Sequence, residues 1–303
     1  MSAQAIIRRY KMIIDIVDSG QFPSKKKIQN YISQTGIDIS IRTVERDLKA
    51  IRNEFDVEIE YHPQKRGYSI NRELSLPIDS FLRFLEIVET ASVFRESLKK
   101  SKETLDYIDF ENEGMVTGID HLNPVLQATR NHQCIRFTHE SYQSGKSRKY
   151  QLKPYLIKEY QGRWYIVGEV SGMNAVRTFG LDRIENLEVL AKTFKPKELN
   201  IKERFADVVG LTYDFEGSQK QQVVLSFKDE QMPYIESLPL HPSQRIVKVS
   251  KDNNIVDYHL IPNFEFMQRL FMYMDNVKVI EPKWLVEEVK GKCLKIKANY
   301  KQA

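Results

Sequence analysis

QGRWYIVGEV, residues 161–170, is the stretch from which the rest of the chain can be read. Trp164 and Tyr165 open a run of Ile and Val, and Gly162 stands just before them. Aromatic and β-branched residues entered from a Gly turn predict one strand. The neighbours repeat the pattern. From 133 to 190 the chain reads QCIRFTHESYQ, a Ser-Gly turn, KSRKYQLKPYLIKEY, a Gln-Gly turn, RWYIVGEV, a Gly-Met-Asn turn and AVRTFGLDRIENLEVL. Short strands at regular spacing predict a small, strongly bent antiparallel sheet or open barrel. Arg163 beside the tryptophan, with Arg177 and Arg183 in RTFGLDRI, surrounds this aromatic strand with guanidinium groups.

A chain of 303 residues with 41% hydrophobic content has room for two or three cores. The net charge of +5 is mild, so its distribution matters more than its size. Lys and Arg outnumber Asp and Glu 13 to 10 over residues 1–75 and 10 to 5 over 130–185, but trail 5 to 10 over 76–129. A basic head and a basic middle thus flank an acidic segment. Two distant cysteines, Cys134 and Cys293, make no disulfide framework and point to a reducing compartment. The opening MSAQAIIRRYKMIIDIV lacks a secretory-signal pattern, and no apolar run approaches membrane-spanning length. The expectation is a cytoplasmic protein with no membrane partner.

In the head, Ile6 or Ile7, Tyr10, Ile14 and Val17 recur at helical spacing up to Gly20. Ser24 can cap a second helix with Ile28, Tyr31 and Ile32 on its apolar face, and Gly36 can stop it. Ser40 can cap a third, ISIRTVERDLKAIRNEF, with Val44, Leu48, Ile51 and Phe55 on one side and Arg42, Arg46, Lys49 and Asn53 on the other. VEIEYHPQKRGYSI then predicts two strands, with Lys65 and Arg66 at the tip and Gly67 making the bend. Three helices and a basic-tipped hairpin make a winged helix. A solvated face is the ordinary meaning of such charges, but here the face is of one sign and follows two short helices at helix-turn-helix spacing. Arg42 and Arg46 can pair bidentately with guanine, and Thr43 can meet a phosphate or a thymine methyl. Lys25, Lys26, Lys27, Lys65 and Arg66 would neutralise phosphates. Glu45 and Asp47 are read as members of internal ion pairs.

SIRTVERDLKAI resembles the second helix of the helix-turn-helix in DeoR-like bacterial regulators, and RGYSI resembles the return strand of their wing. KPYLIKEYQGRWYIVG followed by RTFGLDRI resembles the WYL domain, named for a Trp-Tyr-Leu tripeptide that here reads Trp164-Tyr165-Ile166. That resemblance implies a small SH3/Sm-like sheet that senses charged ligands, such as nucleotides or nucleic acid fragments, between aromatic and basic groups. The site residues it implies are Tyr142, Arg148, Tyr150, Trp164, Tyr165, Arg177 and Arg183. Tyr150 stands where members often carry an arginine. Arg148, two residues earlier on the same strand face, could supply the guanidinium instead. Arginine forks match phosphate geometry and aromatic faces stack on bases. The competing reading makes Trp164 core and pairs Arg183 with Asp182 or Glu185. It is the preferred one for Trp164, whereas Tyr142 and Arg177 are assigned to the ligand.

LPIDSFLRFLEIVETASVFRESLKK, with Phe81, Phe84 or Leu85, Val88 and Val93 near helical spacing, predicts a buried helix or a dimer contact, and GIDHLNPVLQATRNH predicts another helix. The tail alternates as strand Val223–Phe227, helix Met232–Leu238, two strands turned at Asp252-Asn253-Asn254, helix Phe264–Met274, strand Val277–Ile280 and a helix opened by Pro282. That β-α-β-β-α-β order predicts a ferredoxin-like unit. VKVIEPKWL resembles the end of the extension that follows WYL domains, which implies a dimerisation module.

The expected whole is a multidomain α+β protein. Residues 1–73 form a winged helix-turn-helix, 74–130 a helical linker and dimerisation segment, 131–195 the ligand-sensing sheet, 196–220 a connector and 221–303 the C-terminal extension. No phosphate loop, dinucleotide glycine pattern or nucleophile motif argues for an enzyme, and His132, Cys134 and His139 lack zinc-site spacing. No cofactor is expected. The expected function is a ligand-responsive transcriptional regulator, a repressor, bound as a homodimer to a palindromic double-stranded operator. The alternative is a nucleic-acid-sensing accessory of DNA damage or phage defence without promoter control.

Overall fold

Tyr10, Ile13, Ile14 and Val17 share one stripe of helix α1 (Ala3–Asp18), and all four are buried. Gly20 and Gly36 take φ values of +72° and +82° just beyond α1 and α2 (Lys25–Ser33), a conformation that L side chains resist. The Ser24 hydroxyl accepts the Lys27 N–H at the start of α2, and Ser40 accepts the Thr43 N–H at the start of α3 (Ile41–Phe55). Ile28, Ile32, Val44 and Ile51 close the core against α1. The computed structural model describes residues 3–72, 74–75, 78–98, 118–142, 144–173, 175–213, 218–248, 250–251 and 253–300. It divides into two compact units, Met1–Asn112 and Glu113–Ala303.

The hairpin β1 (Ile59–His62) and β2 (Gly67–Ile70) pairs Ile59 with Ile70 and His62 with Gly67. Its bend is not made by Gly67. Arg66 takes the positive φ, +52°, and Gly67 serves close approach instead. A Cβ at Gly67 would lie 1.8 Å from the Phe22 carbonyl oxygen, while the next residue, Tyr68, donates its N–H to Pro23 O at 3.0 Å. Helix α4 (Ile78–Leu98) places Ile78, Phe81 and Leu85 in this same core, with the Phe55 and Phe81 rings 4.5 Å apart. The helix expected in a separate linker therefore completes the head. Leu85, not Phe84, is on its buried stripe, because Phe84 is exposed. The side chain of Val93 lies outside the described residues.

In the second unit, helix α5 (Leu122–Arg130) covers a five-stranded antiparallel sheet built from β3 (Gln133–Glu140), β4 (Ser147–Tyr160), β5 (Arg163–Val170), β6 (Ala175–Gly180) and β7 (Ile184–Thr193). The order β6-β5-β4-β3-β7 sets consecutive strands at opposite edges. Only the Leu181–Arg183 turn joins those edges, so the sheet has to curl until they approach. The inner face carries Ile135, Phe137, Leu152, Ile166 and Phe179 against Val125 and Ala128 of α5. Val167, on the opposite face of β5, packs with Ile201 and Phe205 of helix α6 (Ile201–Ala206).

The tail adds β8 (Gln221–Phe227), α7 (Met232–Ser237), β9 (Arg245–Lys248), β10 (Asn254–Leu260), α8 (Phe264–Met272), β11 (Val277–Glu281) and α9 (Lys283–Asn299). The four strands form one antiparallel sheet, ordered β11-β8-β10-β9, over a core that includes Leu225, Phe227, Tyr258, Phe266 and Leu285. Asn263 caps α8 and also donates to Val209 O at 2.6 Å and Thr212 O at 2.8 Å. The buried Glu265 accepts from Leu211 N–H and the Thr212 hydroxyl. His241 contacts Ala206 O at 2.9 Å. These bonds fasten the connector to the tail domain.

Candidate functional site

Helix α3 turns Val44, Leu48 and Ile51 inward, which leaves Arg42, Arg46 and Lys49 exposed on the outer side. Thr43 is half-buried, and its hydroxyl lies 3.0 Å from that of Ser40, whose oxygen is committed to the helix cap. Asp47 is 1% exposed and is held bidentately by the fully buried Arg9 of α1, at 2.7 and 3.2 Å. Arg46 lies 3.6 Å from the same carboxylate but stays exposed. Lys25 pairs with Glu45 at 2.5 Å, and that bond raises the Lys25 pKa. Lys27 donates to Gln21, and Lys65 sits 3.6 Å over the Phe22 ring. Lys26 and Arg66 are exposed. Of the cations expected on phosphates, Lys25 thus has an acidic partner, whereas Lys26 and Arg66 stand on open surface. The Arg9–Asp47 pair could not be read from the pattern, because Arg9 sits beside Arg8 near the start of an ordinary amphipathic helix.

A second constellation lies where β6 turns into β7. The Arg183 guanidinium stacks 4.5 Å over the ring of Tyr142, which is itself 66% exposed. Asp182 accepts from Arg163 at 3.3 Å and lies 3.7 Å from Arg183 Nε. Both groups occupy the space that a side chain at Gly180 would fill, since a Cβ there would be 2.3 Å from Asp182 Oδ1 and 3.0 Å from Arg183 Nη2. The rings of Tyr150 and His139 flank Phe179 at 4.8 and 5.1 Å. Arg148 pairs in register with His139, so it does share a face with Tyr150. Burial pushes the Tyr165 phenol pKa up, and the Asp182 carboxylate adds to that. Trp164 is half-buried against the sheet core. Arg177 is exposed, in register with Gly168, and among the described residues no hydrogen bond, ion pair or cation–π contact joins it to Asp182 or Tyr142.

His139 Nε2, Asp182 Oδ1 and Arg183 Nε are buried and have no hydrogen-bond partner among the described residues. Buried polar groups are almost always paired, because an unpaired one forfeits about 1–3 kcal/mol of solvation. Asp182 Oδ1 and Arg183 Nε form an ion pair with each other at 3.7 Å, and the Arg183 charge acts on His139, so the three atoms make one polar cluster. The sequence signal for His139 was available in principle, since it alternates on β3 with the inward Phe137 and Ile135.

Burial, with the Arg183 charge beside it, lowers the His139 pKa to about 4, against a small opposing pull from Asp182. The unfolded chain binds this proton near pH 6.5, whereas the folded chain resists it until about pH 4. Protons in that window therefore favour unfolding. The melting temperature of the second unit is expected to hold above pH 6.5 and to fall between pH 6.5 and 4. His139→Gln should flatten that slope, as measured by calorimetry across the range.

Residues 120–189 match the family model of the WYL domain, and residues 219–296 match that of the WCX domain. Among solved structures, the chain is similar to proteasome accessory factor B/C (PafBC) of Arthrobacter aurescens, at 18% identity and a TM-score of 0.32, covering 94% of this chain and 45% of that one. It spans less than half the length of that protein. It is also similar to a CRISPR Cas-related protein, at 15% identity and a TM-score of 0.37, covering 99% of this chain and 86% of the other. No curated protein matches the chain significantly.

Proposed function

We propose that this WYL-domain protein is a ligand-responsive transcriptional regulator: its head, a winged helix-turn-helix, reads double-stranded DNA, and its WYL sheet binds an anion that changes DNA affinity. The observation that carries the ligand half is the cluster of His139, Asp182 and Arg183 beside the exposed Tyr142 ring, whose buried polar atoms make no hydrogen bond among the described residues. Guanidinium and imidazole groups with flat ring faces suit a nucleotide or a nucleic acid fragment. The DNA half is supported by the outer face of α3, whose Arg42, Arg46 and Lys49 point away from the core. One such helix reads only a short half-site, so a twofold homodimer on a palindromic operator is the proposed form, with the WCX domain as a ferredoxin-like dimerisation module. Repression is the proposed sign of control. A ligand acts on it only by favouring one dimer arrangement over another.

Genome-wide crosslinking would identify the operator, and binding to it supplies the tests. Arg46→Ala is expected to lose about 1–3 kcal/mol of discrimination at one base position, whereas Lys26→Ala weakens all duplexes alike and lowers the salt dependence. Equal losses on operator and random duplex for both variants would remove Arg46 from base readout. Tyr142→Ala should fold normally, since the ring is largely exposed. It should weaken the response to nucleotides and short oligonucleotides several-fold, the scale of a lost stacked cation–π contact. An unchanged response in titrations would take Tyr142 out of the site.

A further inference from the structure

Helices α8 and α9 do not close on each other along their whole length. Packed helices normally lie about 8–10 Å apart with interdigitated side chains. Between these two runs a trough of about 1360 Å³. Trp284, Glu288, Lys292 and Lys295 of α9 line one wall, at spacings that put them on one side of the helix, and Phe264, Gln268 and Arg269 of α8 contribute to the other. The aromatic groups are unusually open for so concave a place, Phe264 at 65% and Trp284 at 45% exposure. Trp284 is nonetheless fixed, because its indole N–H donates to Gln221 Oε1 at 2.8 Å. A ring held this way loses little freedom when something stacks on it.

The charge of the trough selects its occupant. Among the described residues, Arg269, Lys292 and Lys295 face a single acid, Glu288, and none of the three cations is in an ion pair. Lys290 is paired with Glu287 at 2.7 Å, so the positive charge that α9 offers the trough rests on Lys292 and Lys295. Flat rings, unpaired cations and side-chain amides together match a base and its phosphates. Small-ligand pockets usually measure about 300–1,000 Å³, so this trough has room for more than a mononucleotide. We propose that the α8–α9 trough binds a nucleotide-class anion of dinucleotide size, with a base stacked on Trp284 and phosphates on Arg269, Lys292 and Lys295. None of Tyr142, His139, Asp182 and Arg183 lines this trough, whose one lining residue from the five-stranded sheet region is Gln161.

The chain has two tryptophans, Trp164 and Trp284, which makes the test specific. In full-length Trp164→Phe protein, Trp284 is the sole indole reporter. Titration with the 5′-phosphorylated dinucleotide pApA is expected to quench it saturably. AMP should bind at least about tenfold more weakly and inorganic phosphate should leave the fluorescence unchanged. Lys292→Glu/Lys295→Glu in that background, both on the exposed side of α9, should weaken pApA at least about tenfold, and Arg269→Gln should weaken it in the same direction. The Trp284→Phe protein, which reports from Trp164, should keep its own response to ligand at the Arg183 group. Absence of saturable quenching at millimolar pApA overturns the proposal, as does a pApA affinity that survives the charge reversal. Saturation by a poly-glutamate peptide but not by pApA also overturns it, and would give the trough to an acidic protein surface.

Discussion

Arg9→Met is expected to destabilise the head by about 3–5 kcal/mol, the cost of leaving one member of a buried ion pair without its partner. Asp47 is 1% exposed and Arg9 is fully buried, so water cannot replace the lost guanidinium. Arg46, at 3.6 Å, is a nearby cation that can swing inward to the stranded carboxylate. That rescue would take Arg46 from the outer face of α3, so the variant should lose operator discrimination along with stability. The double change Arg9→Met/Asp47→Leu removes both charges and should recover most of the stability, because well-packed apolar replacements of buried pairs are often neutral. Urea unfolding of the three proteins decides the matter. If Arg9→Met costs less than about 1 kcal/mol, the pair is not the clamp between α1 and α3 that its geometry describes.

Gly67→Ala should be nearly as damaging, by about 3 kcal/mol or more, the upper range for forced overpacking. The added methyl would sit 1.8 Å from the Phe22 carbonyl oxygen and 2.4 Å from its carbon, and backbone atoms cannot rotate aside as a side-chain tip can. The hairpin has to lift from the α1–α2 loop, which breaks the Tyr68 N–H bond to Pro23 O and displaces Lys65 from the Phe22 ring. The expected result is a head that melts early, with weakened binding to all duplexes and an unaffected second unit. Gly20→Ala is the comparison, since a Cβ there meets nothing within 4 Å and only the φ of +72° is strained. Equal melting shifts for the two variants would show that backbone conformation, not close approach, explains Gly67.

Much of the architecture was written in local patterns. Helical spacing and the Ser24 and Ser40 caps placed α2 and α3 correctly, because caps and apolar stripes act within one or two turns. The alternation of turns and β-branched runs marked the strands from β3 to β7, and the β-α-β-β-α-β order of the tail was legible element by element. The helix at Phe264 was drawn too long. It ends at Met272, with a short 3-10 turn over Met274–Asn276 before β11. Glu45 and Asp47 were read as internal ion-pair residues, and both have such partners, Lys25 and Arg9.

What the pattern could not contain are pairings between residues far apart in the chain. Arg9 meets Asp47 across 38 positions, and nothing local distinguishes it from Arg8. Gly67 looked like a bend residue, because a glycine after a basic tip is the usual turn signal, and only the packing of β2 on Phe22 revealed its use. α4 was assigned to a linker from its acidic composition, but Phe81 and Leu85 complete the core of the head. His139 drew attention only as a poor metal ligand, until the curl of the sheet brought the β6–β7 turn over β3 and set Arg183 beside it. Sequence alone determined most of the helices, strands and apolar faces, since those depend on spacing along one element, but it missed helix α6 in the segment read as a connector and placed the exposed Tyr31 on an apolar face. The tertiary structure decided which charged groups are buried, paired or left exposed, because desolvation and Coulomb energy depend on what the folded chain places within a few ångströms.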